Sequence, residues 1–110
     1  MYKELNTSEE LERTINDNIA ILVYFYSDKC APCISLRPKV AELIANKYPS
    51  MELVFVNSEK YSSMPIKYNV FANPTLIIFF ESKEYKRESK YVSIPQLSQI
   101  IDRPYNMVFE

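Results

Sequence analysis

The chain has 110 residues, 47% of them hydrophobic and 25% charged, the balance of one soluble globular domain spanning 1–110 rather than of a disordered chain. Thirteen Lys and Arg against fourteen Asp and Glu leave a formal charge of −1, which argues against a protein built to grip nucleic acid or an anionic membrane. Histidine and glycine are both absent, so Cys-His and Ser-His nucleophile pairs, His-containing metal sites and glycine-rich phosphate loops are excluded.

Thr7 and Glu10 have the spacing of a capping box, and Leu11 and Ile15, one turn apart, mark the buried side of a first helix. Ile19 to Tyr26 is a continuous run of apolar, β-branched and aromatic residues, expected to form a strand buried on both faces. That run is too short for a bilayer, which takes about 20 residues. The amino terminus Met1–Asn6 lacks the hydrophobic stretch of a signal peptide, so a cytoplasmic protein is expected.

After the polar loop Ser27-Asp28-Lys29, a long helix is expected from Cys30 to Tyr48. Leu36, Val40, Leu43 and Ile44 form its apolar stripe, with the stem of Lys47 at the edge. Pro38 lies inside this helix and should kink it, and Pro49 follows its end. Leu53–Asn57 reads as a second buried strand. Tyr61–Tyr68 reads as a short helix, with Asn69 in the left-handed conformation at its end. Thr75–Phe80 is a third buried strand, followed by a turn at Ser82-Lys83 and a polar edge strand over Tyr85–Val92. A last helix starts near Ile94 or Pro95, shows Leu97, Ile100 and Ile101 on one side, and is expected to end at Pro104, leaving 105–110 as a docked tail. The order is that of an α/β domain with a central mixed sheet flanked by helices on both faces.

The chemistry is concentrated in Cys30-Ala31-Pro32-Cys33, directly after a buried strand and at the opening of a helix. Unpaired amides and the helix dipole favour a thiolate on the first cysteine, and a thiolate is the attacking species in disulfide exchange. Cys33, one turn further in, is expected to be buried and placed to attack a mixed disulfide. Pro32 limits how the small ring relaxes. Three plainer readings stand beside this one. Half a zinc site lacks its other ligands within one chain, since there is no further Cys and no His. A structural disulfide across so short a loop would constrain little of the unfolded chain. Two inert core thiols fit poorly with a strand-to-helix junction.

From Leu5 to Ile101 the chain resembles the thioredoxin family. The resemblance rests on Ile21-Leu22-Val23 leading into Phe25-Tyr26-Ser27-Asp28-Lys29-Cys30-Ala31-Pro32-Cys33, on Pro38, and on Lys67-Tyr68-Asn69-Val70 followed by Asn73-Pro74-Thr75. It implies the thioredoxin fold. It also implies a cis peptide bond before Pro74, that proline lying against the active-site disulfide, and an extended substrate segment paired with the backbone before it. Departures are visible. The buried acid beneath the second cysteine is replaced by Tyr24, whose hydroxyl, with an ordinary pKa near ~10, is a poor proton acceptor. The lysine that accompanies that acid is replaced by Phe55. Tyr26 and Lys29 stand where tryptophans are common, and Ala31 where glycine is. Lys90 and Tyr91 put bulk where a glycine often leaves room for substrate. Asn73 replaces an aliphatic residue; its amide is expected either to bond a partner backbone or to cap its own loop. Tyr26 and Tyr91 are candidates to rim the disulfide. The alternating charges Lys83, Glu84, Lys86, Arg87, Glu88 and Lys90 are expected to be a solvated strand edge.

The expected function is thiol-disulfide oxidoreduction, an electron-transfer activity maintaining cell redox balance, with Cys30 and Cys33 as the catalytic pair. Ala31, Pro32, Tyr24 and Lys29 support it, and Tyr26, Asn73, Pro74 and Tyr91 contact substrate. No metal or other cofactor is implied. Disulfide-bearing proteins and a recycling reductase are the expected partners, with no nucleic acid or membrane, and a monomer is expected. The alternative is a thioredoxin-like module that binds extended peptides and uses its cysteines little.

Overall fold

The computed structural model describes residues 3–109. Its elements, in chain order, are β1 (Lys3–Glu4), α1 (Ser8–Asp17), β2 (Ala20–Tyr26), α2 (Ala31–Lys47), β3 (Glu52–Asn57), α3 (Ser63–Lys67), β4 (Thr75–Phe80), β5 (Lys83–Ser89) and α4 (Ile94–Val108). The strands form one mixed sheet in the order β1-β3-β2-β4-β5. β3 pairs in parallel with β1 and β2, while β4 runs antiparallel to β2 and β5.

The uniformly apolar strands are explained by the two cores they serve. Side chains alternate across a strand. Ala20, Leu22 and Tyr24 of β2, with Leu53 and Phe55 of β3 and Leu76 and Ile78 of β4, pack beneath Cys33, Val40 and Ile44 of α2 and Leu97 and Ile101 of α4. Ile21, Val23 and Phe25, with Val54, Val56, Ile77 and Phe79, pack with Leu11 and Ile15 of α1 and Met64 of α3. The central strands are therefore covered on both faces, as the unbroken apolar runs require.

Several local signals act as expected. Thr7 caps α1, its Oγ1 accepting the Glu10 amide at 3.0 Å. The Glu10 carboxylate reaches back to the amide of Asn6. Asn69 takes φ 57° just past α3. α2 continues through Pro38. The bond that proline removes belongs to the carbonyl of Ile34, a residue 64% exposed, so water can satisfy it there.

Two expectations fail. The edge strand runs over Lys83–Ser89 rather than Tyr85–Val92. Glu81 and Ser82 both adopt positive φ, which turns the chain within two residues and lets Lys83 pair with Phe80 at once. At the other end Lys90, at φ 66°, takes the chain off the sheet, and Val92 packs against the α2–α4 core instead. Pro104 does not end the last helix but lies inside α4, which reaches Val108. An interior proline costs about 3 kcal/mol. Opposing it, the Tyr105 ring is buried edge-on against Tyr48, 5.0 Å between centroids, and lies 4.7 Å from Phe109. The Tyr105 hydroxyl also accepts the Ser50 amide at 2.9 Å. The docked tail is thus the last helical turn, with Glu110 outside the described residues.

Candidate active site

β2 delivers the chain to the site, and Asn57 at the end of β3 holds the loop that follows. This buried side chain donates to the Asp28 carboxylate at 3.2 Å and accepts the amides of Glu59 and Lys60, both at 3.1 Å. Lys29 projects into solvent and pairs at 4.0 Å with Glu59.

Cys30 is the N-cap of α2 and is disulfide-bonded to Cys33. Its Sγ accepts the backbone amide of Cys33 at 3.2 Å. Cys30 is half-buried, Ala31 and Pro32 are exposed, and Cys33 is 1% exposed within the α2–α4 core. Of the two cysteines, Cys30 is the more exposed. The Asn73-Pro74 bond is cis, as the resemblance implies.

Tyr24 fills the space below the pair. It is fully buried, and its hydroxyl donates to the Cys33 carbonyl at 2.7 Å. Burial pushes the phenol up to about 12, against an opposing influence from the Arg37 charge. The residue is therefore a neutral donor that anchors the first turn of α2, not a proton acceptor.

A charged group lies beside it that sequence reasoning did not single out. Arg37, four residues after Cys33 on the same side of α2, places its guanidinium 4.0 Å from the Phe55 ring centroid and 4.9 Å from that of Tyr26. It pairs with Glu4 of β1, whose other carboxylate oxygen accepts the Tyr26 hydroxyl at 2.9 Å. Burial, and then the Glu4 carboxylate, push that hydroxyl above the ordinary tyrosine range. The i,i+4 spacing from Cys33 was the only sequence signal for Arg37; its partner, 33 residues away, gave none.

Beside Pro32 of the cysteine motif, an open groove is bounded by Pro32, Lys39, Pro74, Lys90 and Tyr91. Of the expected substrate contacts, Pro74 and Tyr91 line it, and Tyr26 and Asn73 do not. The Asn73 side-chain oxygen is buried with no hydrogen-bond partner among the described residues, and Thr75 holds that loop instead, donating to the Ala72 carbonyl at 2.7 Å. No cluster of potential metal ligands occurs among the described residues.

The family model described as Thioredoxin matches residues 3–103. The chain belongs to the thioredoxin family. The thioredoxin-like protein YdfQ of Bacillus subtilis is 23% identical over 103 residues, covering 94% of this chain and 91% of that protein. Thioredoxin Y1, chloroplastic, of Arabidopsis thaliana is 30% identical over 88 residues, 80% of this chain and 51% of that one. Among solved structures, Fasciola hepatica thioredoxin superposes with a TM-score of 0.83 at 31% identity, covering 92% of this chain and 97% of that chain. With the Cys30–Cys33 pair in place, this thioredoxin-family chain is a thiol-disulfide oxidoreductase.

Proposed function

We propose that the protein, as a single domain over 1–110, reduces disulfides in partner proteins, with Cys30 as the attacking and Cys33 as the resolving residue. The observation that supports these roles is the position of the Cys30 sulfur at the α2 N-cap, where it accepts the Cys33 amide while Cys33 itself is buried. An amide aimed at that sulfur, with the helix dipole behind it, favours the thiolate once the disulfide is reduced.

The Cys30 thiolate attacks one sulfur of a partner disulfide, forming a mixed disulfide and releasing the partner's other sulfur as a thiolate. Cys33 gives up its proton to solvent and attacks the Cys30 sulfur. That step closes the Cys30–Cys33 bond and releases the second partner thiolate. Two electrons pass to the partner, and two protons complete its thiols. A reductase then returns the electrons to the cysteine pair. No cofactor of the protein's own enters this sequence. This traffic fits a monomer in the reducing cytoplasm that takes part in electron transport, with protein partners rather than nucleic acid or membrane. No helix among the described residues is long and apolar enough to cross a membrane.

Insulin reduction by dithiothreitol tests the reading. Wild type should accelerate it, and the Cys30→Ser, Cys33→Ser double variant should not. Equal rates for the two proteins would favour a module that binds peptides without redox chemistry. Cys33→Ser alone should trap partners as mixed disulfides through Cys30.

A further inference from the structure

The groove beside the disulfide has a charge that the whole chain does not. Acidic residues outnumber basic ones, fourteen to thirteen, yet no Asp or Glu lines this groove and two lysines do. Lys39 comes from α2, one wall, and Lys90 from the segment after β5, the other. Neither forms an ion pair among the described residues. Glu42, one turn beyond Lys39, does not line the groove; it lines a neighbouring hollow to which Lys39 also contributes.

Lys90 is held in place by its backbone. Its amide donates to the carbonyl of Pro74 at 2.9 Å, and its φ of 66° lies in the left-handed region, which a residue with a side chain adopts only at a cost. The other three positive-φ residues, Asn69, Glu81 and Ser82, close a helix end and a hairpin turn, and none lines the groove. The rest of the lining is mixed, with Pro32, Pro74 and Tyr91, the last 91% exposed, beside the polar Ser35, Ser93 and Gln96. A mixed lining with two ammonium groups and no carboxylate fits an extended polypeptide whose side chains near the reactive cysteine are acidic.

Resting on the disulfide-reductase reading above, we infer that this groove selects partner segments carrying Asp or Glu beside the disulfide to be reduced. Lys39 and Lys90 steer such a segment in and set its register over Pro74. Both lysines are exposed, so the selection is electrostatic, acts on capture, and weakens as salt screens it.

The test uses three synthetic peptides, each closed by one internal disulfide and identical except for two residues next to a cysteine, which are Glu, Gln or Lys. The pre-reduced protein is mixed with each peptide, and loss of the peptide disulfide is followed by chromatography. At about 20 mM salt the Glu peptide should be reduced about fivefold faster than the Lys peptide, and the ratio should fall towards one at about 0.5 M salt. In the Lys39→Glu, Lys90→Glu variant the order should invert, and in the Lys39→Gln, Lys90→Gln variant the ratio should fall towards one without inverting. Because each ratio is taken within one protein preparation, partial loss of fold or activity does not alter it. Wild-type rates equal for all three peptides, or a preference that both double variants retain, overturn the inference and leave the reductase reading standing. If wild type reduces none of the peptides, both fail.

Discussion

The guanidinium of Arg37 lies over the face of Phe55, 4.0 Å from its centroid, one helical turn beyond the buried Cys33. The sheet position opposite Tyr24 is thus apolar, but the space beside it holds a fixed cation carried by α2 and neutralised by Glu4 of β1. A charge near a buried thiol favours its ionised form when the signs are opposite. The expected consequence is that the part of this charge Glu4 leaves unscreened assists the second step of exchange through its field, not by taking a proton.

Replacing Arg37 with Met keeps the aliphatic stem over the rings and removes the charge. Release of a partner from the Cys30 mixed disulfide should slow about threefold near neutrality, with its pH profile displaced upwards. The loss of fold stability should stay near about 1 kcal/mol or less, because Glu4 and Arg37 are both partly exposed. Single-turnover release measured across pH about 6 to 9 decides it. A profile identical to wild type would make Arg37 a packing residue only.

Alkylation order checks the cysteine roles. After reduction, Cys30 should react with iodoacetamide well before Cys33 at mildly acidic pH, since it is half-buried at a helix start while Cys33 is sealed in the core. Mass spectrometry of partially labelled protein gives the order. Equal labelling, or labelling of Cys33 first, would contradict the assignment.

Glu84 and Arg87 supply a pH signature far from the cysteines. Two hydrogen bonds of 2.7 Å from Arg87 hold the Glu84 carboxyl below its ordinary 4.5. A folded-state pKa below the unfolded one contributes stability above the unfolded value, and that stability is lost as the pH falls through the folded value. Wild type should therefore be slightly more stable than Glu84→Gln at neutral pH, by a few tenths of a kcal/mol for a pair this exposed. The difference should close below pH 4.5. Arg87→Ala should cost more, about 1–2 kcal/mol, because Arg87 also donates to the carbonyls of Tyr68 and Asn69 at the end of α3. Thermal melts at pH about 3 and about 7 test both variants.

The features legible in the sequence are those governed by local chemistry. Unbroken apolar runs gave three buried strands, the Thr7 hydroxyl gave the start of α1, and Asn69 gave the left-handed residue after α3. The cysteine pair was legible from its spacing at a strand-to-helix junction, and the cis Asn73-Pro74 bond because the order of motifs resembles that of a known family. Other features depended on partners distant in the chain. Pro104 reads as a helix end until Tyr105 is seen packed on Tyr48, more than fifty residues away. The edge strand was misplaced because Lys90 leaves the sheet to bond Pro74. The Glu4–Arg37 pair crosses from β1 to α2, and neither charge looks unusual in its own segment.

Tyr24 separates anchoring from proton transfer, and two substitutions divide them. Tyr24→Phe removes the 2.7 Å bond to the Cys33 carbonyl, so it should cost about 1 kcal/mol of stability and leave partner release nearly as in wild type. The pH dependence follows from the raised pKa. A phenol at about 12 when folded and 10.0 when unfolded contributes stability that is complete below pH 10.0 and is lost as the pH rises towards 12. The gap between wild type and Tyr24→Phe should therefore narrow above pH 10.0. Tyr24→Asp places a carboxylate under Cys33, close enough to accept the thiol proton directly or through a water. Release from the mixed disulfide should then be faster near neutrality than in wild type. The fold should be weaker by several kcal/mol, from burying a charge and leaving a cavity where the ring was. Arg37, whose charge is felt at Tyr24, offsets part of that cost, so Tyr24→Asp in the Arg37→Met background should be less stable than the two single losses added together. Single-turnover release and denaturant unfolding of wild type, the three single variants and the double variant measure both effects. Unchanged release in Tyr24→Asp would mean that water already takes the Cys33 proton as fast as a carboxylate can, and that Tyr24 serves only to hold the first turn of α2.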